Sequence, residues 1–164
     1  QRQMCIRDRS NLAGYRAAFA AGDPQLVATL VNTRKHAGMI VPAPVQHAMA
    51  VALADDAHVA EQKDRYRRRR DALRTALEAS GHTVDHSEAG LYLWTRRADL
   101  DPADATAQDS WDLLGELADL GIIAGPGVFY GAGGDGYVRV AITATDEAVA
   151  RAAARLTARG PRTG

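Results

Sequence analysis

Apolar residues fall into two kinds of pattern along this chain, and the change between them divides it. In the first part they recur at helical spacing or in unbroken runs. Val27, Leu30 and Val31 form one stripe, which Asp23 opens as N-cap with Pro24 at the first helical position and which ends before Gly38. Ahead of it, Tyr15 to Ala21 is a small apolar segment of strand type, stopped by Gly22. Pro42 and Pro44 break the chain again, and Val45 to Leu53 is apolar on nearly every side, the mark of a buried or interface helix. A long helix is predicted from about Ala57 to Ser80, with Gly81 as its stop and Val59, Tyr66, Leu73 and Leu77 as a narrow core stripe.

Beyond Gly81 the pattern is mixed. Leu91 to Trp94 reads as a strand. Asp109 or Ser110 is expected to cap a helix that turns Trp111, Leu114, Leu117 and Ala118 inward and ends at Gly121. Ile122 to Ala124 and Tyr137 to Ile142 are expected strands. Thr145 caps a last helix with Val149, Ala152, Ala153 and Leu156 on one face, closed by Gly160-Pro161. Helices packed on one face of a small sheet make an α+β layer.

Composition narrows this little. The chain has 164 residues, 46% hydrophobic and 24% charged, with zero formal net charge. That is globular rather than disordered composition, enough for one domain or one domain with part of another. A neutral balance gives no field that favours nucleic acid or membrane partners. One cysteine, Cys5, excludes a disulfide framework and a cysteine-rich zinc site. No apolar run is long enough to span a bilayer, and a cytoplasmic location is the expectation.

Several features invite chemistry and resist it. Arg67 to Arg70 would suit a polyanion, but Glu61–Arg65 and Asp64–Arg68 are favourable i,i+4 pairs, and a solvated face is the plainer reading. Gly131-Ala132-Gly133-Gly134-Asp135-Gly136 fits the dinucleotide fingerprint G-x-G-x-x-G, yet it leads into a strand instead of a helix, so a loop is expected. His36, His47, His58, His82 and His86 form no metal pattern, and no metal is expected. Ser10, Ser80, Ser87 and Ser110 sit in no G-x-S-x-G elbow.

Arg139 is the open case. Alternation turns Val138, Val140 and Ile142 one way and Tyr137, Arg139 and Ala141 the other. On alternation alone Arg139 faces solvent; its planar fork of donors would equally suit a carboxylate clamp.

Ser10-Asn11-Leu12-Ala13-Gly14-Tyr15-Arg16 resembles the segment after the Schiff-base lysine of class I/II pyridoxal-phosphate aminotransferases, of fold type I. Gly125-Pro126-Gly127 with Phe129 and Gly131 resembles that family's P-G-x-x-F-G turn, and Gly90 to Trp94 its first small-domain strand. The likeness runs from Ser10 to Ala158. It implies that Arg16 holds the cofactor phosphate and that Arg139 pairs with the substrate α-carboxylate, which tips Arg139 from solvent to clamp. It implies an α/β fold comprising the C-terminal part of the large domain (10–56) and the whole small α+β domain (57–160), with 161–164 as a tail. It further implies pyridoxal 5'-phosphate as the cofactor, an amino acid and a 2-oxo acid as partners, and a homodimer for the complete enzyme.

Arg34 to Gln46 looks most like the N-succinyldiaminopimelate aminotransferases, which implies glutamate as donor and N-succinyl-2-amino-6-oxopimelate as acceptor in lysine and diaminopimelate biosynthesis. Another amino-acid aminotransferase, acting on aspartate or a similar dicarboxylate, is the neighbouring alternative. A non-catalytic α+β module that meets an acidic partner through Arg67–Arg70 is the alternative from another class. One departure matters most. By the family spacing the lysine position is Asp8 and the phosphate-contacting serine position is Cys5. Both fall in residues 1–9, which lack the alanine and glycine of the rest and resemble a translated transposase end; they are expected to be a non-native or disordered tail. No catalytic residue is therefore assigned, and the chain as it stands is expected to be inactive.

Overall fold

The computed structural model describes residues 2–5 and 9–161. The chain separates into two compact units, Gln1–Arg65 and Tyr66–Gly164. The division falls inside a long helix and not at its start near residue 57, where the sequence suggests a boundary.

In the first unit, strand β1 (Arg2–Cys5) pairs antiparallel with β2 (Ala18–Ala21), in register from Arg2 opposite Ala21 to Cys5 opposite Ala18. The expectation of a disordered tail therefore does not hold for Arg2–Cys5: the open edge of β2 offers backbone groups, and an extended segment satisfies them. Asp8 lies outside the described residues. β2 is shorter than the apolar run suggests, because Ala13–Tyr15 form a single 3₁₀ turn instead.

Helix α1 (Pro24–His36) begins as its sequence dictates. The Asp23 carboxylate accepts from the amides of Gln25 at 2.9 Å and Leu26 at 3.0 Å, and Pro24 stands in the first turn. Helix α2 (Ala43–Ala54) follows Pro42. Neither helix has a fully buried residue; in the apolar run expected to be buried or at an interface, Val45, Ala48, Met49, Ala52 and Leu53 are partly buried and the rest exposed. The Arg9 guanidinium caps α2, donating to the carbonyls of Ala52 at 2.7 Å and Leu53 at 3.4 Å and to the Asp56 carboxylate. Helix α3 (Ala57–Ala79) carries the chain onward.

The second unit holds the core. A four-stranded antiparallel sheet has the order β3 (His82–Asp85), β4 (Tyr92–Arg97), β6 (Tyr137–Ala141), β5 (Gly125–Pro126). Leu93, Val138 and Val140 project from one face into a cluster with Leu73, Leu77, Leu113, Leu117, Val149 and Leu156. These come from the end of α3, from α4 (Ala107–Asp119) and from α5 (Asp146–Arg159). Helices therefore cover one face of a small sheet, the α+β layer that the patterning predicts.

Three local readings are corrected. Helix α4 is capped by Thr106, not by Asp109 or Ser110: Asp109 sits at N3, and the two close a reciprocal capping box. The buried stripe of this helix is Ser110, Leu113 and Leu117, while Trp111 remains 44% exposed and Ala118 is exposed. Ile122–Ala124 is not a strand; the edge pairing falls on Gly125 and Pro126, opposite Arg139 and Val138. The sheet also gains β3, in the stretch around His82 that reads as extended.

The glycine-rich stretch 127–136 is a compact loop of two 3₁₀ turns, Gly127–Tyr130 and Ala132–Gly134, and it enters a strand as expected. Its shape depends on close backbone approach. A Cβ on Gly127 would collide with the carbonyl of Gly134, and one on Gly134 with the carbonyl of Gly127. Helix α4 pins the loop from below: the buried Ser110 hydroxyl donates to Gly134 O at 3.2 Å and the Gly136 amide to Thr106 O at 3.2 Å.

Candidate active-site elements

Strand alternation decides where Arg139 stands. Since Val138 and Val140 enter the core, Arg139 lies on the opposite face of the sheet, directly across from Trp94 on β4 and Gly125 on β5. It is half-buried there rather than washed by solvent. Its guanidinium carbon lies 4.1 Å from the ring centre of Tyr92 and 5.0 Å from that of Tyr130. A cation held against aromatic faces at these distances is attracted by their quadrupoles. Among the described residues no carboxylate pairs with it. The fork of donors is oriented but uncommitted, the condition in which an arginine takes a carboxylate edge-on.

The surroundings of Arg139 share the same face. Trp94 stacks on Tyr137 with centroids 5.1 Å apart at 12°, and meets Tyr130 edge-on at 5.7 Å and 80°. Asp85 on β3 accepts from Arg96 Nε at 2.9 Å and from the Tyr137 hydroxyl at 3.0 Å. Burial, then the adjacent Asp85, pushes the Tyr137 phenol above its usual pKa. Burial opposes the charge on Arg96, but the ion pair with Asp85 outweighs it and the pKa rises. Thus two arginines on adjacent strands of one face, two residues apart in register, are unlike: Arg96 is paired with Asp85 and Arg139 has no carboxylate partner among the described residues.

Arg16 belongs to the first unit. It follows the Ala13–Tyr15 turn in a left-handed backbone conformation (φ 50°), with its amide donating to Ala13 O at 3.2 Å. Its side chain is exposed on a groove of about 840 Å³ whose wall also carries Arg34, Lys35, Phe19 and Leu30. No hydrogen bond or ion pair engages its guanidinium among the described residues. Three cations on one groove suit an anion such as a phosphate. Residues Arg34 and Lys35 were not singled out as donors by the sequence; their position in the last turn of α1, facing the groove, is a tertiary fact.

A further polar cluster is invisible in the sequence spacing. His58 Nδ1 lies 2.9 Å from Asp55 Oδ2, and its Nε2 lies 3.0 Å from the hydroxyl of the largely buried Ser10. His58 holds the Asp55 carboxyl below its usual pKa. With Arg9 on the end of α2, this anchors the residues just before Asn11. The arginine run of α3 is partly engaged: Arg69 pairs with Asp146 and Arg70 donates to Gly90 O. Among the described residues no three metal-binding side chains cluster, and no helix is long and apolar enough to cross a membrane.

Comparison with known proteins matches residues 9–156 to the model of the family described as aminotransferase class I and II. The 4-dedimethylamino-4-oxo-anhydrotetracycline transaminase of Streptomyces rimosus is 57% identical over 152 residues, covering 93% of this chain and 40% of that protein. Probable aminotransferase Rv1178 of Mycobacterium tuberculosis is 55% identical over 148 residues, covering 90% of this chain and 33% of its own length. Among solved structures, a probable N-succinyldiaminopimelate aminotransferase from Thermus thermophilus superposes with a TM-score of 0.74 at 26% identity, covering 96% of this chain and 41% of that one. The chain thus spans 40% or less of the two curated relatives.

Proposed function

Because this chain belongs to the class I and II aminotransferases, whose members depend on pyridoxal phosphate, we propose that it supplies the carboxylate clamp and a phosphate ligand of such an enzyme. Arg139 is the substrate-binding residue and Arg16 the cofactor-binding residue. The single observation that carries this reading is the Arg139 guanidinium, set against Tyr92 and Tyr130 with no carboxylate partner among the described residues.

The donor set fits the cofactor in one part and not in another. Arg16, exposed and uncommitted beside Arg34 and Lys35, suits a phosphate. Asp8, at the position the family gives to lysine, has no amine with which to tether an aldehyde. When bound, the cofactor supplies an electron sink for charge developing at the substrate α-carbon. What this chain's residues contribute is orientation. The Arg139 fork fixes a carboxylate in plane, and Tyr92 and Tyr130 keep water from the faces of the guanidinium. With Asp8 in place no side chain of the motif takes up the α-proton, so the chain by itself does not transaminate.

The complete enzyme, on this reading, is a cytoplasmic homodimer that moves an amino group from glutamate to a 2-oxo acid. N-succinyl-2-amino-6-oxopimelate is the acceptor favoured by Arg34–Gln46 and by the likeness to the Thermus protein. The Streptomyces relative, at higher identity, carries the name of a transaminase for a different substrate, and aspartate-type specificity is the other candidate. The test is an amino-transfer assay with pyridoxal phosphate, glutamate and each 2-oxo acid. The chain as given is expected to give no turnover. The chain with the encoded sequence upstream of Ser10, read afresh from source DNA, is expected to be active, fastest with the succinylated acceptor. Turnover by the purified chain alone would overturn the inactivity; preference for oxaloacetate would overturn the substrate.

A further inference from the structure

The wall around Arg139 is braced from the neighbouring register of the same face. Tyr137 and Arg139 alternate onto the same face of β6, and Tyr137 stands opposite Arg96 where Arg139 stands opposite Trp94. Its hydroxyl donates to Asp85 Oδ2, the oxygen that also accepts from Arg96 Nε. Arg96 is itself fixed by donating to Leu100 O at 2.8 Å and Arg97 O at 3.2 Å. The phenol is therefore tied at one end to a charged, immobile acceptor. Its ring lies parallel to Trp94, and the edge of Trp94 meets Tyr130, whose ring is one of the two beside the Arg139 guanidinium. Each link is a contact with directional preference, so fixing the first restrains the last.

We propose that Tyr137, tied to Asp85, is a positioning residue for the Arg139 clamp: it sets the plane of Trp94 and through it the place of Tyr130 against the guanidinium. The proposal rests on the reading of Arg139 as a carboxylate clamp. The role assigned to Tyr137 is orientation through Trp94 and Tyr130, with no proton transfer. A phenol is protonated, and thus a donor, across the neutral range, and burial pushes the Tyr137 pKa further up. The same contacts explain why Arg96 is no second anion site, since its charge is already met by Asp85.

The chain holds two tryptophans, Trp94 and Trp111, so Trp111→Phe leaves Trp94 as sole reporter. In that background, binding of 2-oxoglutarate is titrated by Trp94 emission, and the Trp94–Tyr137 stack is read by near-ultraviolet circular dichroism. Losing one buried hydrogen bond changes an equilibrium by roughly three- to tenfold. Tyr137→Phe is expected to weaken 2-oxoglutarate binding by up to that factor and to reduce the dichroism, while the chain still unfolds in one cooperative transition at a somewhat lower midpoint. Asp85→Asn is expected to act in the same direction and serves as the second variant where Tyr137→Phe fails to fold. If both variants bind as tightly as the parent while Arg139→Met abolishes binding, the positioning role is overturned and the clamp stands. If Arg139→Met binds as the parent does, or the parent does not bind, the clamp reading fails and the proposal falls with it.

Discussion

The two units of this chain are built from similarly apolar helices and come to opposite ends. In the second unit, α4 and α5 set Leu113, Leu117, Val149 and Leu156 against Leu93, Val138 and Val140 of the sheet, and Leu77, Leu93, Leu113 and Leu117 are fully enclosed. In the first, α1 carries the stripe Val27, Leu30 and Val31 with Leu26 beside it; Val27 is partly buried and the other three stay 44–58% exposed. A hydrophobic stripe states that a face is to be covered; it does not contain the cover. In the second unit a sheet supplies it from nearby sequence. In the first, the two-stranded ribbon is too small to do so.

The largest expected effect tests the loop that carries Tyr130. Gly127→Ala puts a methyl group into the Gly134 carbonyl, a backbone atom that cannot swing aside. We expect near-ultraviolet dichroism of the second unit to collapse, while Gly131→Ala, with open space for a Cβ but a positive φ, shows a milder loss. Next, Leu93→Ala should cost about 2–5 kcal/mol in denaturant unfolding. Leu30→Ala in the first unit should stay within about 0.5 kcal/mol. Equal losses at Leu30 and Leu93 would break the comparison.

Smaller effects sharpen it. Thr106→Ala removes the capping-box hydroxyl of α4 and should cost about 1 kcal/mol by the same unfolding measurement. The smallest concerns acid. Hydrogen bonds from Thr106 hold the Asp109 carboxyl below its usual 3.8, so the unfolded chain takes up that proton first as pH falls. The stability linked to Asp109 is therefore complete above the unfolded pKa and fades below about pH 4. Stability measured from pH 6 to 3 should drop less steeply in Asp109→Asn than in the parent.

Much of the second unit was legible from local chemistry. The stripe of α5, its Thr145 cap, strand β6 and the loop before it follow from spacing alone, because each signal lies within a few residues of its effect. The misjudged elements depended on partners. Asp109 and Ser110 are both residue types that cap helices, but the pairing of Thr106 with Asp109 three residues on makes Thr106 the cap and Asp109 the N3 residue. The edge strand at Gly125–Pro126 carries no alternation and exists only because β6 is beside it. For the site, alternation placed Arg139 on the correct face, and resemblance chose clamp over solvent. The rings of Tyr92 and Tyr130 beside Arg139, and the Asp85–Tyr137–Trp94 chain, join residues 9 to 52 positions apart that no short pattern connects. Ser10 and His58, 48 residues apart, were read separately and meet at 3.0 Å.

The proposed carboxylate clamp at Arg139 is tested most directly by amide and guanidinium nuclear magnetic resonance. On adding 2-oxoglutarate to the isotopically labelled chain, the account predicts shifts concentrated at Arg139 Nε and the amides of Tyr92, Tyr130 and Gly125. Shifts confined to Arg67–Arg70, or scattered over the surface without Arg139, would contradict it.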